Sequence, residues 1–196
     1  MGADEYHPVS HNGSNVAAAG GIGYTVVGAL DTVLLMGLNA EYRRARDWIE
    51  HELTFDRDDE FNTFEVRRSD FLRDTLSCFV VQTTTRVLGG LLSAYHHSGG
   101  DALYLKRARD LADRILPAFD TPSGLPLSMV NLQRRKGVSS KDNGGLVTTA
   151  EVSALQLEFR YLSELTGDDT YWKTAERVRF RLTGGMWLCG LSCVRR

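Results

Sequence analysis

The residues best suited to chemistry lie in one phrase that is split in two. Phe61-Asn62-Thr63-Phe64-Glu65-Val66 breaks off at Val66, and Thr84-Thr85-Arg86-Val87-Leu88-Gly89-Gly90-Leu91-Leu92-Ser93-Ala94-Tyr95-His96 takes it up again. With residues 67–83 set aside, the halves read as one amphipathic helix. Glu65 then sits in its first turn and Arg86 four positions later on the same face. A carboxylate there is a candidate proton donor or acceptor. A guanidinium one turn on holds that carboxylate or clamps a sugar hydroxyl beside it. The same spacing also fits a plain surface ion pair.

Other groups offer weaker chemistry. Glu151, in Thr149-Ala150-Glu151-Val152, falls early in a long helical pattern, with Glu158 and Arg160 after it. An early-helix glutamate lines a pocket or simply complements the helix dipole. Asp31-Thr32 is a polar pair in an apolar stretch, either a satisfied core pair or part of a pocket floor. Cys189 and Cys193 have a spacing seen in some zinc sites, but no second pair and no nearby His accompany them, so they read as unrelated thiols. His96 and His97 are adjacent and point in different directions, which argues against a metal site. Gly20-Gly21-Ile22-Gly23 follows no strand and is not a dinucleotide fingerprint. Asn12-Gly13-Ser14 fits the N-glycosylation pattern.

The elements that must position these groups are helical. Periodicity predicts helices over 22–37, 40–53, 85–98, 101–117, 148–166 and 169–179, with no long strand-like alternation. An internal repeat supports them: Gly37-x7-Ala45, Gly100-x7-Ala108 and Gly167-x7-Ala175 share one spacing. The last two copies extend to Gly-Asp-x-x-Tyr-x-Lys-x-Ala. Each glycine suits a left-handed helix end, each alanine permits close packing on the next helix, and Asp101 and Asp168 suit helix N-caps. Such repeated hairpins build an open superhelix or a closed α/α toroid. The long, Pro- and Gly-containing stretch 120–147 would roof one end of a toroid and favours it.

Composition bounds the rest. The 196 residues suffice for one domain, and 42% hydrophobic with 24% charged residues is ordinary for a globular chain. A net charge of -2 argues against nucleic acid or an anionic membrane as main partner. No apolar run reaches membrane-spanning length, and the first residues lack a basic n-region and an h-region. Read literally, that start predicts a soluble intracellular chain.

The ordered motifs resemble glycoside hydrolase family 47, the class I α-1,2-mannosidases. The resemblance rests on Asp4-Glu5-x-x-Pro8-Val9-Ser10, on Gly21 through Thr32, on Phe64-Glu65 joined to Arg86 through His96, and on Leu116 through Gly124. It continues in Asn131-Leu132, Ala150-Glu151-Val152 and Leu155 through Ser163. It implies an all-α, partial (α/α)7 barrel of helical hairpins and removal of α-1,2-linked mannose from N-glycans with inversion. It also implies a calcium ion that orients the mannose hydroxyls. By the same resemblance Glu65 is the catalytic acid, while Arg86 and Glu151 are substrate-binding. The implied partner is a high-mannose N-glycan and the implied location the secretory pathway, against the literal reading of the first residues. A glycan-binding quality-control protein and a non-functional fragment are the alternatives.

Three departures stand beside it. The chain matches about the first two-fifths of such a catalytic domain; the remaining carboxylates and the calcium-binding threonine of the family lie beyond it. Gly28 stands where the family usually has Asp. Residues 67–83 have no family counterpart, and residues 179–196 leave the pattern as well. This divides the chain into 1–178, the N-terminal part of an α-mannosidase catalytic domain with an insert at 67–83, and a tail at 179–196. Retained intron sequence would account for both foreign segments, which together hold all three cysteines; a genuine insertion with a short isoform is the alternative.

Overall fold

The computed structural model describes residues 2–63, 83–139, 145–147 and 149–185. Helices dominate. α1 (Tyr24–Gly28) and α2 (Leu30–Leu35) lead into α3 (Asn39–His51). A π-helical turn, Thr83–Leu88, runs straight into α4 (Gly89–His97), which α5 (Ala102–Ile115) follows. After a 3-10 turn at Leu116–Phe119 come α6 (Thr149–Ser153), α7 (Gln156–Thr166) and α8 (Thr170–Gly185).

The helices form two rows. α2, α4 and α7 make one, with α4 packed between its two neighbours; α3, α5 and α8 each fold back on the preceding helix of that row. The repeat explains the folding back. Gly37, Gly100 and Gly167 all have positive φ, at 69°, 96° and 71°, where a β-carbon would be strained. Eight residues after each, Ala45, Ala108 and Ala175 are buried, so the second helix of each hairpin approaches closely. Asp101 caps α5 by accepting the Leu103 N–H at 3.0 Å, and Asp168 accepts the Thr170 N–H at 3.0 Å at the start of α8. Arg46 of α3 ties the Asp101 cap to its own helix at 2.7 Å.

Apolar spacing sets the buried faces. On α5, Tyr104, Ala108, Leu111, Ala112 and Ile115 are buried, an i, i+4, i+7, i+8, i+11 stripe. Each fully buried large side chain contributes about 1.5–3 kcal/mol relative to exposure. Aromatic contacts join the hairpins: Phe159 lies 5.8 Å from Phe119 and 5.9 Å from Tyr171 between ring centroids. The Tyr171 hydroxyl donates to Asp113 at 2.6 Å, linking α8 to α5.

Short strands appear where the sequence shows no alternation. β1 (Glu5–His7) pairs antiparallel with β2 (Asn12–Ser14). β3 (Glu60–Asn62), β4 (Met129–Asn131) and β5 (Lys136–Val138) form an antiparallel sheet in that order. Each strand has three residues, too few for a period-2 signal. Residues 129–138, about a third of the stretch read as a loop over 120–147, thus form a hairpin. Arg114 of α5 anchors it by donating to the Leu132 carbonyl at 3.0 Å and the Phe55 carbonyl at 3.2 Å.

Other boundaries also differ from the periodic reading. The helix expected over 22–37 is broken after Gly28, and that over 148–166 is broken at residues 154–155. The helix expected to end at 179 extends to Gly185.

Candidate active site

The first row carries the site, and its position begins with Asp4. This buried carboxylate accepts backbone N–H bonds from Val16 (3.1 Å), Ile22 (2.9 Å), Gly23 (2.8 Å) and Tyr24 (3.3 Å). α1 has no capping side chain of its own, since its N-cap residue is Gly23. Asp4 supplies the missing cap from a distant point in the chain and places a negative charge at the positive helix end. The fit is tight at Gly21, where a β-carbon would come within 2.8 Å of the Asp4 carboxylate.

α1 in turn meets the π-helical turn and α4. The Tyr24 hydroxyl lies 2.8 Å from Thr83 Oγ1, and burial pushes the phenol up, so Tyr24 remains protonated. Gly90 sets the helix separation: a β-carbon there would sit 2.8 Å from the Val27 carbonyl oxygen. The Gly89-Gly90 pair of the split phrase is therefore a packing device on one side. On the other side, Gly89 leaves space.

That space is a cavity of about 560 Å³, lined by Tyr24, Thr25, Gly28, Asp31, Thr85 and Arg86 among others. Arg86 is exposed and lines it without a hydrogen bond or ion pair among the described residues. A free guanidinium beside hydroxyl and carboxylate groups is suited to clamp a polyhydroxylated ligand. Asp31 accepts a hydrogen bond from Ser93 of α4 at 3.2 Å while lining the cavity, so it is a satisfied pair and part of a pocket wall together.

Gly89 and Ser93 also border a second cavity, about 640 Å³, between α4 and α7. Its walls include His96, His97, Leu157, Glu158, Arg160 and Tyr161. Glu158 is the unusual member. It is only 8% exposed, its Oε2 has no hydrogen-bond partner, and burial raises its carboxyl above the usual carboxylate range. Its carboxylate faces Gly89: a β-carbon on that glycine would lie 3.6 Å from Glu158 Oε1. A buried acid with a free oxygen is equipped to donate to, or accept from, a bound hydroxyl. Across the same cavity, His96 Nδ1 and the Tyr161 hydroxyl lie 3.2 Å apart.

The three residues read from the sequence fare differently. Arg86 stands at a cavity wall. Glu151 stands on the backbone of α6, one short helix before Glu158. Glu65 lies outside the described residues, as does most of 67–83. The two ends of that gap nevertheless meet: the Thr84 hydroxyl donates to the Thr63 carbonyl at 2.8 Å. With 67–83 set aside, Thr84 is the fourth residue after Thr63. The contact then has the form of a helical hydroxyl-to-i−4-carbonyl bond. β3 holds the first end, since the Thr63 N–H donates to the Ser128 carbonyl at 2.8 Å.

Glu158 is not among the residues picked as functional from the sequence. The signal was present: Glu158 lies three residues after Leu155 and four before Leu162, on the apolar face of its own helix. Among the described residues no three His, Cys, Asp or Glu side chains converge on a metal site, and no helix is long and apolar enough to cross a membrane.

Similarity to known proteins agrees with this arrangement. The chain is 45% identical over 183 residues to the endoplasmic reticulum mannosyl-oligosaccharide 1,2-alpha-mannosidase of Schizosaccharomyces pombe, covering 93% of this chain and 32% of that protein. It is 41% identical to the human protein of the same name, covering 93% of this chain and 23% of that one. The chain thus spans about a third or less of the length of these relatives. Among solved structures it is similar to the alpha-1,2-mannosidase from Trichoderma reesei, with a TM-score of 0.73 and 28% identity over 93% of this chain and 36% of that one. The two rows of helices are accordingly part of an (α/α)7 barrel. The sequence profile of Glycosyl hydrolase family 47 matches residues 1–185, and the chain belongs to that family.

Proposed function

We propose that residues 1–178 supply the N-terminal part of an inverting α-1,2-mannosidase that trims terminal α-1,2-linked mannose from high-mannose N-glycans in the secretory pathway. The relatives named as endoplasmic reticulum mannosidases support the substrate class and the compartment. The single observation that carries the reading to this chain is Arg86, without a partner among the described residues, over a polar cavity that Tyr24 and Asp31 also line.

In this reading Glu65 protonates the leaving glycosidic oxygen, and Arg86 and Glu151 hold the sugar. Inversion requires a second carboxylate to activate water on the opposite face of the ring, with the two carboxyl groups roughly 6.5–9.5 Å apart. The chain's own family-matched residues provide the acid side and the pocket wall. Glu158 adds a buried hydrogen-bonding group on the wall next to Gly89. Calcium belongs to the family expectation; among the described residues no three His, Cys, Asp or Glu side chains converge on a candidate site. Residues 67–83 are an insert that separates Glu65 from Arg86; the tail read from 179 onward leaves the family only after residue 185, where the family match ends.

A chimera tests this. Residues 1–178, without 67–83, replace the matching part of the Schizosaccharomyces pombe relative, and mannose release from a high-mannose glycan is measured. Activity is expected, with a loss of about 10²–10⁴-fold on Glu65→Gln. The same chimera carrying 67–83 is expected to be inactive. An active Glu65→Gln chimera would remove Glu65 from the acid role, and an inactive parent chimera would overturn the reading as a whole.

A further inference from the structure

We propose that Asn12 is a site of N-linked glycosylation, modified before the β1–β2 hairpin closes. This rests on the secretory-pathway reading above. Asn12-Gly13-Ser14 is the sole Asn-x-Ser/Thr triplet in the sequence.

Two of its three residues have a purpose in the fold, and the third does not. Gly13 is required by close approach: a β-carbon there would lie 2.5 Å from the Ala3 β-carbon. The Ser14 hydroxyl lies 2.8 Å from His7 Nε2 and donates to Glu5 Oε2 at 3.2 Å, bracing β2 against β1. Asn12 contributes only its backbone, paired with His7. Its side chain is exposed and takes part in none of the described hydrogen bonds. Residues 8–13 form an unbroken exposed run, with Val9 97% exposed, so a bulky polar adduct meets no neighbour to displace. None of residues 5–14 lines either cavity described above.

The co-reactant is a lipid-diphosphate-linked oligosaccharide. Asn12 Nδ2 forms a bond to the anomeric carbon of its first sugar and gives up one proton. The bond from that carbon to the diphosphate oxygen breaks, and the lipid diphosphate leaves with the electron pair. The transferase must engage the Ser14 hydroxyl while this happens. In the folded hairpin that hydroxyl is already held by His7 and Glu5, and the triplet is locked in a strand. Transfer therefore precedes pairing of β1 with β2, and the finished glycan stays on the exposed turn.

The test is translation of the full chain behind a secretory leader, with microsomes present during synthesis. A single glycosidase-sensitive mobility shift is expected. It should vanish in Asn12→Gln, which touches no described contact, and persist or increase in Ser14→Thr. Purified folded chain given the transferase and the lipid-linked oligosaccharide should show no shift. Absence of the shift during synthesis, while an added control triplet in the same chain is modified, would overturn the site. Equal modification of the folded chain would overturn the timing. The leader delivers the chain whatever its native address, so failure here leaves the mannosidase reading standing. An inactive chimera, conversely, leaves Asn12 untouched.

Discussion

The two rows of helices solve different problems. The second row, α3, α5 and α8, is regular: each helix is at least 13 residues long, and α5 and α8 begin at an aspartate that caps them. The first row is interrupted everywhere. α1 and α2 are split after Gly28, α4 is entered through a π-helical turn, and α6 is separated from α7 at residues 154–155. Its cap comes from remote Asp4, and it holds the cavity-lining Arg86 and Glu158. Irregular turns and unsatisfied polar groups cost stability and concentrate at functional sites. The contrast teaches that the second row is built for regular packing, while the first row lines the two cavities described above.

The strongest way to break this contrast is Asp4→Ala, which strips the acceptor from four backbone N–H groups. A loss of about 3 kcal/mol or more is expected in denaturant unfolding, with α1 displaced from the cavity wall. A loss under 1 kcal/mol would show that the first row does not depend on its borrowed cap. Next is Asp101→Ala in the second row, expected to cost about 1–2 kcal/mol through the lost N-cap and the Arg46 bond. Arg46 beside it holds the Asp101 carboxyl below the usual range, so this contribution is full at neutral pH and fades as pH falls through the lowered value.

Glu158 has the opposite sign. Its carboxyl is raised by burial, so the folded chain holds the proton more tightly than the unfolded chain. Stability from this group is present below about pH 4 and is lost as pH rises through the raised value. Glu158→Gln should therefore be more stable than the parent by about 1 kcal/mol at neutral pH, and equal to it below about pH 4. Melting curves across pH check this; a variant less stable at neutral pH would mean Glu158 is a structural group. The smallest effect is Gly28→Ala. A β-carbon there meets nothing within 4 Å, so a gain of about 0.5–1 kcal/mol in thermal unfolding is expected. A loss would mean the cavity wall at Gly28 is tighter than its surroundings show.

The second row was the more legible in the sequence. Gly37, Gly100 and Gly167, with their alanines eight residues on, marked the hairpins because backbone handedness and close packing are local demands on residue type. Asp101 and Asp168 were readable as caps for the same reason. The first row was legible mainly through its likeness to a family. Arg86 was legible from its spacing to Glu65 as well, and it does line a cavity. Glu158 was named only as following Glu151, because its burial depends on α4 lying opposite.

By itself the sequence determined the helical hairpins, their left-handed hinges, the family, and the split between Glu65 and Arg86. These follow from short-range chemistry and from ordered motifs, which survive in one dimension. Only the tertiary structure decided that Asp4 caps α1, that three-residue strands pin Thr63 opposite Thr84, and that Glu158 is a buried acid whose Oε2 has no partner. Each of these joins residues distant in sequence or depends on what packs against a helix face. No local pattern encodes which groups end up short of water.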